Sequence, residues 1–214
     1  SSSAVAVHWA VVDLSEPSLA VRVTREGEGA RTTTSIAALL SSTVSINGDW
    51  HDSATDQPTG LSVGNGWQWS GTTDHHSTSS VGDWSFLACT TEKDCRFDPV
   101  ENLEERRWRD INVVGGNGQR LALDGVLAFP AYDPDHRARS GVCLDATGNT
   151  LTMWGSEGGC PGCGYGFTST QFAAFVFERG CWTGMMLDGG GSTSIVIAGT
   201  RRGSYTAAER SLFP

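Results

Sequence analysis

The chain has 214 residues, 38% of them hydrophobic and 18% charged, with 27 glycines and a formal net charge of −9. That length matches one domain able to bury a core without metal or disulfide support, here a single domain over 1–214 with a variable insert around 70–110. The acidity argues against a nucleic-acid binder, which needs cationic contacts to phosphate; the low charge content argues against a disordered acidic chain; and no apolar run approaches the roughly 20 residues that span a bilayer.

Residues 5–14 (VAVHWAVVDL) alternate and are β-branched, which predicts a strand. Glu16-Pro17-Ser18 marks a turn into a second strand over 19–26 (LAVRVTRE). A Thr/Ser start and apolar residues at 36, 39 and 40 predict a short helix over 32–42. Residues 43–48 (TVSING) form another strand, running into the polar stretch Asn47 to Asp52. A hairpin is expected around Gly64-Asn65-Gly66 within 61–70, and a strand over 84–90. The charged segment 95–110 reads as partly helical, and 111–126 as strand, turn, strand. Two apolar runs around 145–149 make 140–156 a hairpin. The strongest helix is 168–180 (TSTQFAAFVFERG): Thr168 or Ser169 caps its start, Phe172, Phe175 and Val176 share a face, and Arg179 and Gly180 suit its end. Cys181 then opens a strand leading to Asp188. Interleaved strands with two helices indicate an α+β fold of mixed or antiparallel sheets.

Six cysteines, at 89, 95, 143, 160, 163 and 181, are compatible with three disulfides and an exported protein, secreted or held in the cell envelope or periplasm. Cys89 and Cys95 are close enough to close a local loop, while CPGCG at 160–164 also reads as half a zinc knuckle or as a redox pair. The N-terminal SSSAVAVHW lacks the basic and apolar regions of a signal peptide.

Three short stretches carry chemistry-bearing residues. In MMLDGGGSTSIVI (185–197), the glycines Gly189, Gly190 and Gly191 allow close backbone approach to a ligand. Successive free N–H groups there, with the hydroxyls of Ser192 and Thr193, would suit a phosphate or an oxyanion. Asp188 beside them is a candidate acid/base or ligand anchor; the bland alternative is a glycine-rich turn. The second stretch, Asn47-Gly48-Asp49-Trp50-His51-Asp52, packs an amide, acids and an imidazole behind a short strand. In the third, HRARSG (136–141), Arg139 is placed to grip phosphate or carboxylate with two N–H groups. The adjacent His75 and His76 do not point the same way in a strand and make a poor metal site. Eight tryptophans suit core packing or stacking on sugar rings, with Trp50 the one expected at a site and Trp67 and Trp69 as further platforms.

Taken together, these stretches resemble the phosphodiester glycosidases. SINGDWHD (45–52) stands for the family's N-G-G-F-F, TGLSVGNG (59–66) for its G-l-x-x-x-x-G hairpin, ARSG (138–141) for P-R-T-A-I-G, and MLDGGGSTS (186–194) for N-L-D-G-G-G-S-S-T. The match is collinear over roughly 5–198, and helix 168–180 falls where the family's helix precedes the closing motif. The chain departs from the pattern at Asp49, Trp50 and His51, at Ala138-Arg139-Ser140, at Met186, and through the insert around 70–110.

The resemblance implies hydrolysis of a glycosidic bond whose leaving group is a phosphate ester. Arg139 and Gly189–Ser192 would then hold the phosphate, with Asn47, Gly48, Trp50 and Thr193 completing substrate binding. Asp188 and Asp49 would serve the anomeric centre, and His51 any proton donation. The partner implied is a carbohydrate or phospho-glycan. No cofactor is required, although Asp49, Asp52 and Asp188 offer oxygen ligands of the kind a divalent cation takes. A non-catalytic carbohydrate-binding or cell-envelope module and a glycosidase acting on ordinary polysaccharide, with the insert as a lid, are the alternatives.

Overall fold

The computed structural model describes residues 4–28, 31–52, 57–69, 85–99, 110–115, 119–128, 133–159 and 165–204. In chain order these form β1 (Val7–Asp13), α1 (Thr33–Leu39), β2 (Val44–Ile46), β3 (His51–Asp52), β4 (Gln57–Pro58), β5 (Ser62–Gly64), β6 (Trp67–Gln68) and β7 (Ser85–Thr90). There follow β8 (Cys95–Pro99), β9 (Asp110–Gly115), β10 (Arg120–Leu123), β11 (Val126–Leu127), β12 (Ser140–Leu144), β13 (Thr150–Ser156), α2 (Ser169–Phe177), β14 (Thr183–Met186), β15 (Ser194–Ile197) and β16 (Thr200–Ser204). The fold is α+β, with antiparallel sheets and two helices.

A six-stranded sheet runs β1-β13-β12-β14-β10-β11 and a five-stranded sheet runs β6-β5-β9-β7-β8. A three-stranded sheet, β16-β15-β2, and the small pair β3-β4 complete the set. Alternation along each strand decides which core a side chain enters. In β14, Met185 points to a core shared with Val142, Leu144 and Leu151 of its own sheet and with Leu87, Cys89 and Cys95 of the five-stranded sheet. Met186 points the other way, into a core with Leu121, Cys143 and Trp154 that α2 covers through Phe172, Ala173 and Val176. The six-stranded sheet is thus buried on both faces, each fully buried aliphatic or aromatic side chain contributing about 1.5–3 kcal/mol.

Local chemistry explains the element ends. Thr32 caps α1 by accepting from Ser35 N. Thr168 and Gln171 form a reciprocal capping box on α2, and Gly180 follows the helix at φ +93°. The hairpin β5–β6 turns at Asn65 and Gly66, both with positive φ. Two disulfides close Cys89 to Cys95 and Cys143 to Cys181. Cys160, Cys163, His75, His76, Trp84 and Trp108 lie outside the described residues.

Two expectations need correction. Residues 19–25 pair with no strand: Val23 N donates to Asn112 Oδ1 (2.9 Å) and Asn112 Nδ2 donates to Val21 O (2.9 Å). Leu19 and Val21 still pack on the core, so the alternation is real, but a side-chain amide replaces the ladder. Cys95–Pro99 is a strand, not helix, because the Cys89–Cys95 hairpin pairs it with β7. β7 lies between β8 and β9, so this part of the insert belongs to the five-stranded sheet, while 70–84 and 100–109 lie outside the described residues. The two strands expected within 111–126 are present as β9 and β10, which belong to different sheets; 116–118 lie outside the described residues, and β10 pairs with β11 around Asp124 and Gly125, both with positive φ.

Candidate active site

β2 and β15 pair antiparallel with Ile46 opposite Ile195, so the chain leaving β2 meets the chain entering β15. This register brings 47–50 together with 188–193. Asn47 fastens the two: its N–H donates to Ser194 O, its Oδ1 accepts from Ser194 N (3.0 Å), and its Nδ2 donates to Asp188 O (2.8 Å). Asp188 N donates to Gly48 O (3.0 Å), and Ser140 Oγ donates to Asp188 O (2.6 Å). The backbone of Asp188 is therefore held from two other segments. Its carboxyl is half-buried and accepts from Gly189 N (2.8 Å).

The glycines after Asp188 form one 3₁₀ turn over Gly190–Ser192, with Gly190 at φ +59°, a conformation that favours glycine. A Cβ on Gly189 would stand 3.2 Å from Ala138 O, so the turn rests directly on the 137–139 segment. Its N–H groups do not form the open row expected. Gly189 donates to Asp188, Gly190 to Ala138 O (2.8 Å), Ser192 to Gly189 O and Thr193 to Gly190 O. Gly191 N–H alone in the turn makes no hydrogen bond among the described residues. Ser192 and Thr193 are buried, and Thr193 Oγ1 has no partner among the described residues.

Asp49 occupies a slot between sheets and is 2% exposed. Oδ1 accepts from Trp50 N (2.7 Å) and Oδ2 from Gly60 N (2.6 Å). A Cβ at Gly60 or Gly115 would lie 2.4 Å or 2.8 Å from Oδ2, so the carboxyl fits because both positions are glycine. Burial pushes its pKa up to about 7; the charge of Asp188 adds to this, while the N–H groups of Trp50 and Gly60 oppose it. Trp50 itself is 43% exposed, its carbonyl held by Thr59 N (2.8 Å). His51 lies in β3 opposite Pro58; its side chain and that of Asp52 are outside the described set. Of the other proposed platforms, Trp67 is exposed, but Trp69 is buried with Nε1 bonded to Thr24 O (2.8 Å) and offers no ring face. No cluster of three or more His, Cys, Asp or Glu suited to a metal stands among the described residues.

Arg139 is engaged inside the protein. It is 3% exposed; Nη1 pairs with Asp133 (3.0 Å), Nη2 donates to Asp135 O (2.8 Å) and Nε to Phe167 O (3.1 Å). Burial lowers its pKa, which the paired Asp133 opposes. Its role here is to organise the segment on which the glycine turn rests. Sequence reasoning missed Gly60, Gly115, Asp133 and Ser140 as supports. Arg137 was also missed, because two arginines at i and i+2 look alike in HRARSG.

The sequence profile described as phosphodiester glycosidase matches residues 41–212, which include every residue of this site. The chain belongs to the phosphodiester glycosidase family. Among solved structures it is similar to the zebrafish N-acetylglucosamine-1-phosphodiester alpha-N-acetylglucosaminidase catalytic domain auto-inhibited by pro-peptide (TM-score 0.65, 13% identity, 100% of this chain and 81% of that one). It is also similar to a hypothetical protein from Synechocystis (TM-score 0.66, 13% identity, 96% of this chain and 58% of that one). A third is a protein from Burkholderia pseudomallei K96243 (TM-score 0.63, 13% identity, 97% of this chain and 72% of that one). At such identity these structures share the fold, and the shared family supports a glycosidase-type function. No curated protein matches the chain. Among the described residues, no helix is long and apolar enough to cross a membrane.

Proposed function

We propose that this chain is an exported phosphodiester glycosidase that hydrolyses the glycosidic bond of a sugar-1-phosphodiester in a glycan. One observation carries the reading: a buried carboxyl, Asp49, whose pKa burial raises to about 7, with a smaller push from a second, more accessible carboxyl, Asp188. Pairs of acids driven apart by their surroundings are how glycosidases divide labour between groups. Asp188, rigidly mounted at the end of β14, stabilises charge at the anomeric carbon or activates water. Asp49 lies beneath it as the protonated member below about pH 7. A phosphodiester leaves as a weak base, so the reaction demands little proton donation. The exposed ring of Trp50 offers a face for the sugar. No cofactor enters the scheme, and two disulfides support an exported protein.

The test is a substrate panel of sugar-1-phosphodiesters, aryl glycosides and bacterial polysaccharides, with free sugar and released phosphate ester both measured. Release of both from a diester is expected. Release from none of the diesters overturns the reading, and glycan binding without turnover of any substrate points to a carbohydrate-binding module instead.

A further inference from the structure

We propose that Arg137, not Arg139, is the cation that receives the anionic group of the substrate, together with the Gly191 N–H. The inference rests on the phosphodiester reading above and supplies the phosphate contact that reading lacks. The two arginines leave the same short segment but meet different surroundings. Arg139 is sealed in, with donors on Nε, Nη1 and Nη2 all engaged. Arg137 keeps 28% of its side chain exposed. Its Cδ lies 3.7 Å from where a Cβ on Gly190 would stand, so the stem runs alongside the glycine turn.

Arg137 is also incompletely partnered. Nη2 bonds Asp135 (2.7 Å) and, at 3.4 Å, Asp133. Asp133 is already matched by Arg139. Nε of Arg137 is buried without an acceptor, and Nη1 makes no hydrogen bond or ion pair among the described residues. A guanidinium with idle N–H groups is costly unless something accepts from them. A phosphate has the oxygens and the charge to do so. Gly191, next to the glycine that the Arg137 stem runs beside, holds the turn's idle N–H. Asp135 and Asp133 then act as tethers that fix the guanidinium beside the turn.

The decisive experiment titrates the intact protein and Arg137→Met with inorganic phosphate and dimethyl phosphate by calorimetry, alongside hydrolysis assays. Arg137→Lys and thermal melting serve as folding controls. The wild-type protein should bind the anion, and Arg137→Met should weaken binding by about tenfold or more, with Arg137→Lys in between. Where a sugar-1-phosphodiester is cleaved, Arg137→Met should raise KM for it more than KM for an uncharged aryl glycoside. Equal anion affinity in wild type and Arg137→Met, or no anion binding by wild type, overturns the proposal. Anion binding that depends on Arg137, in a protein that cleaves no diester, upholds the site and sinks the phosphodiester hydrolysis.

Discussion

The two acid-bearing loops sit side by side, yet they hold their carboxyls in opposite ways. Asp188 lies two residues past β14, its backbone is pinned by Asn47, Gly48 and Ser140, and its half-buried side chain accepts from the adjacent Gly189 N. Asp49 has its side chain pinned by two N–H groups in a slot cut by Gly60 and Gly115. One loop fixes the main chain and leaves the acid half-buried; the other buries the acid. Residue type alone does not assign a role here: in the proposed function the more accessible carboxyl serves the reaction, and the buried one sets the field and geometry around it.

Five perturbations would break or sharpen that contrast. The largest effect is expected from Asp188→Asn, which should lower kcat/KM on a diester by roughly 10³-fold or more while the melting temperature barely moves. A parallel loss of fold would make Asp188 a structural acid instead. The strand that carries Asp188 lies beside the Cys143–Cys181 disulfide, which closes a 38-residue separation. Replacing both cysteines with alanine should cost about 4 kcal/mol in urea unfolding, and Asp49 has no such covalent brace close by in sequence.

The slot is probed by Gly60→Ala, whose Cβ would meet Asp49 Oδ2 at 2.4 Å. A loss of about 1–3 kcal/mol is expected. Most of it should vanish in an Asp49→Gly background, since the clash is with that carboxyl. Additive losses in the double variant would show that the slot is not shaped around Asp49. Stability against pH follows from the same group. Its folded pKa of about 7 lies above the 3.8 of the free acid, so the folded state binds the extra proton between those values. Stability should therefore fall as pH rises from about 4 to about 7 and then level off. Asp49→Asn should flatten that slope; an unchanged slope would assign it to other groups. The smallest effect belongs to Trp50→Ala, expected to raise KM severalfold with kcat nearly unchanged, because a stacking face binds ground and transition states alike.

Much of this was legible beforehand, for definable reasons. Strand and helix periodicity placed β1, β12, β13 and α2, and the Asn65-Gly66 and Thr168-Gln171 signals marked their turn and cap. The collinear motifs named the two acids and the family. What sequence did not reveal was set by tertiary partners. Nothing in HRARSG distinguishes the arginine that Asp133 and two carbonyls seal from the one beside Gly190. Nothing in DGGGS shows that its N–H groups are mostly spent on Ala138 and on the turn itself. Apolar alternation over 19–26 reports burial, and burial alone does not say whether a ladder forms.

Asn112 ties together segments far apart in the chain. Its buried Oδ1 receives both Val23 N and Asn65 N, and its Nδ2 reaches Val21 O. One amide thus serves as a shared lock for segments 42 residues apart, Val23 and Asn65. Their two amide protons have no independent route to solvent exchange through this contact: when Asn112 swings away, both are released together.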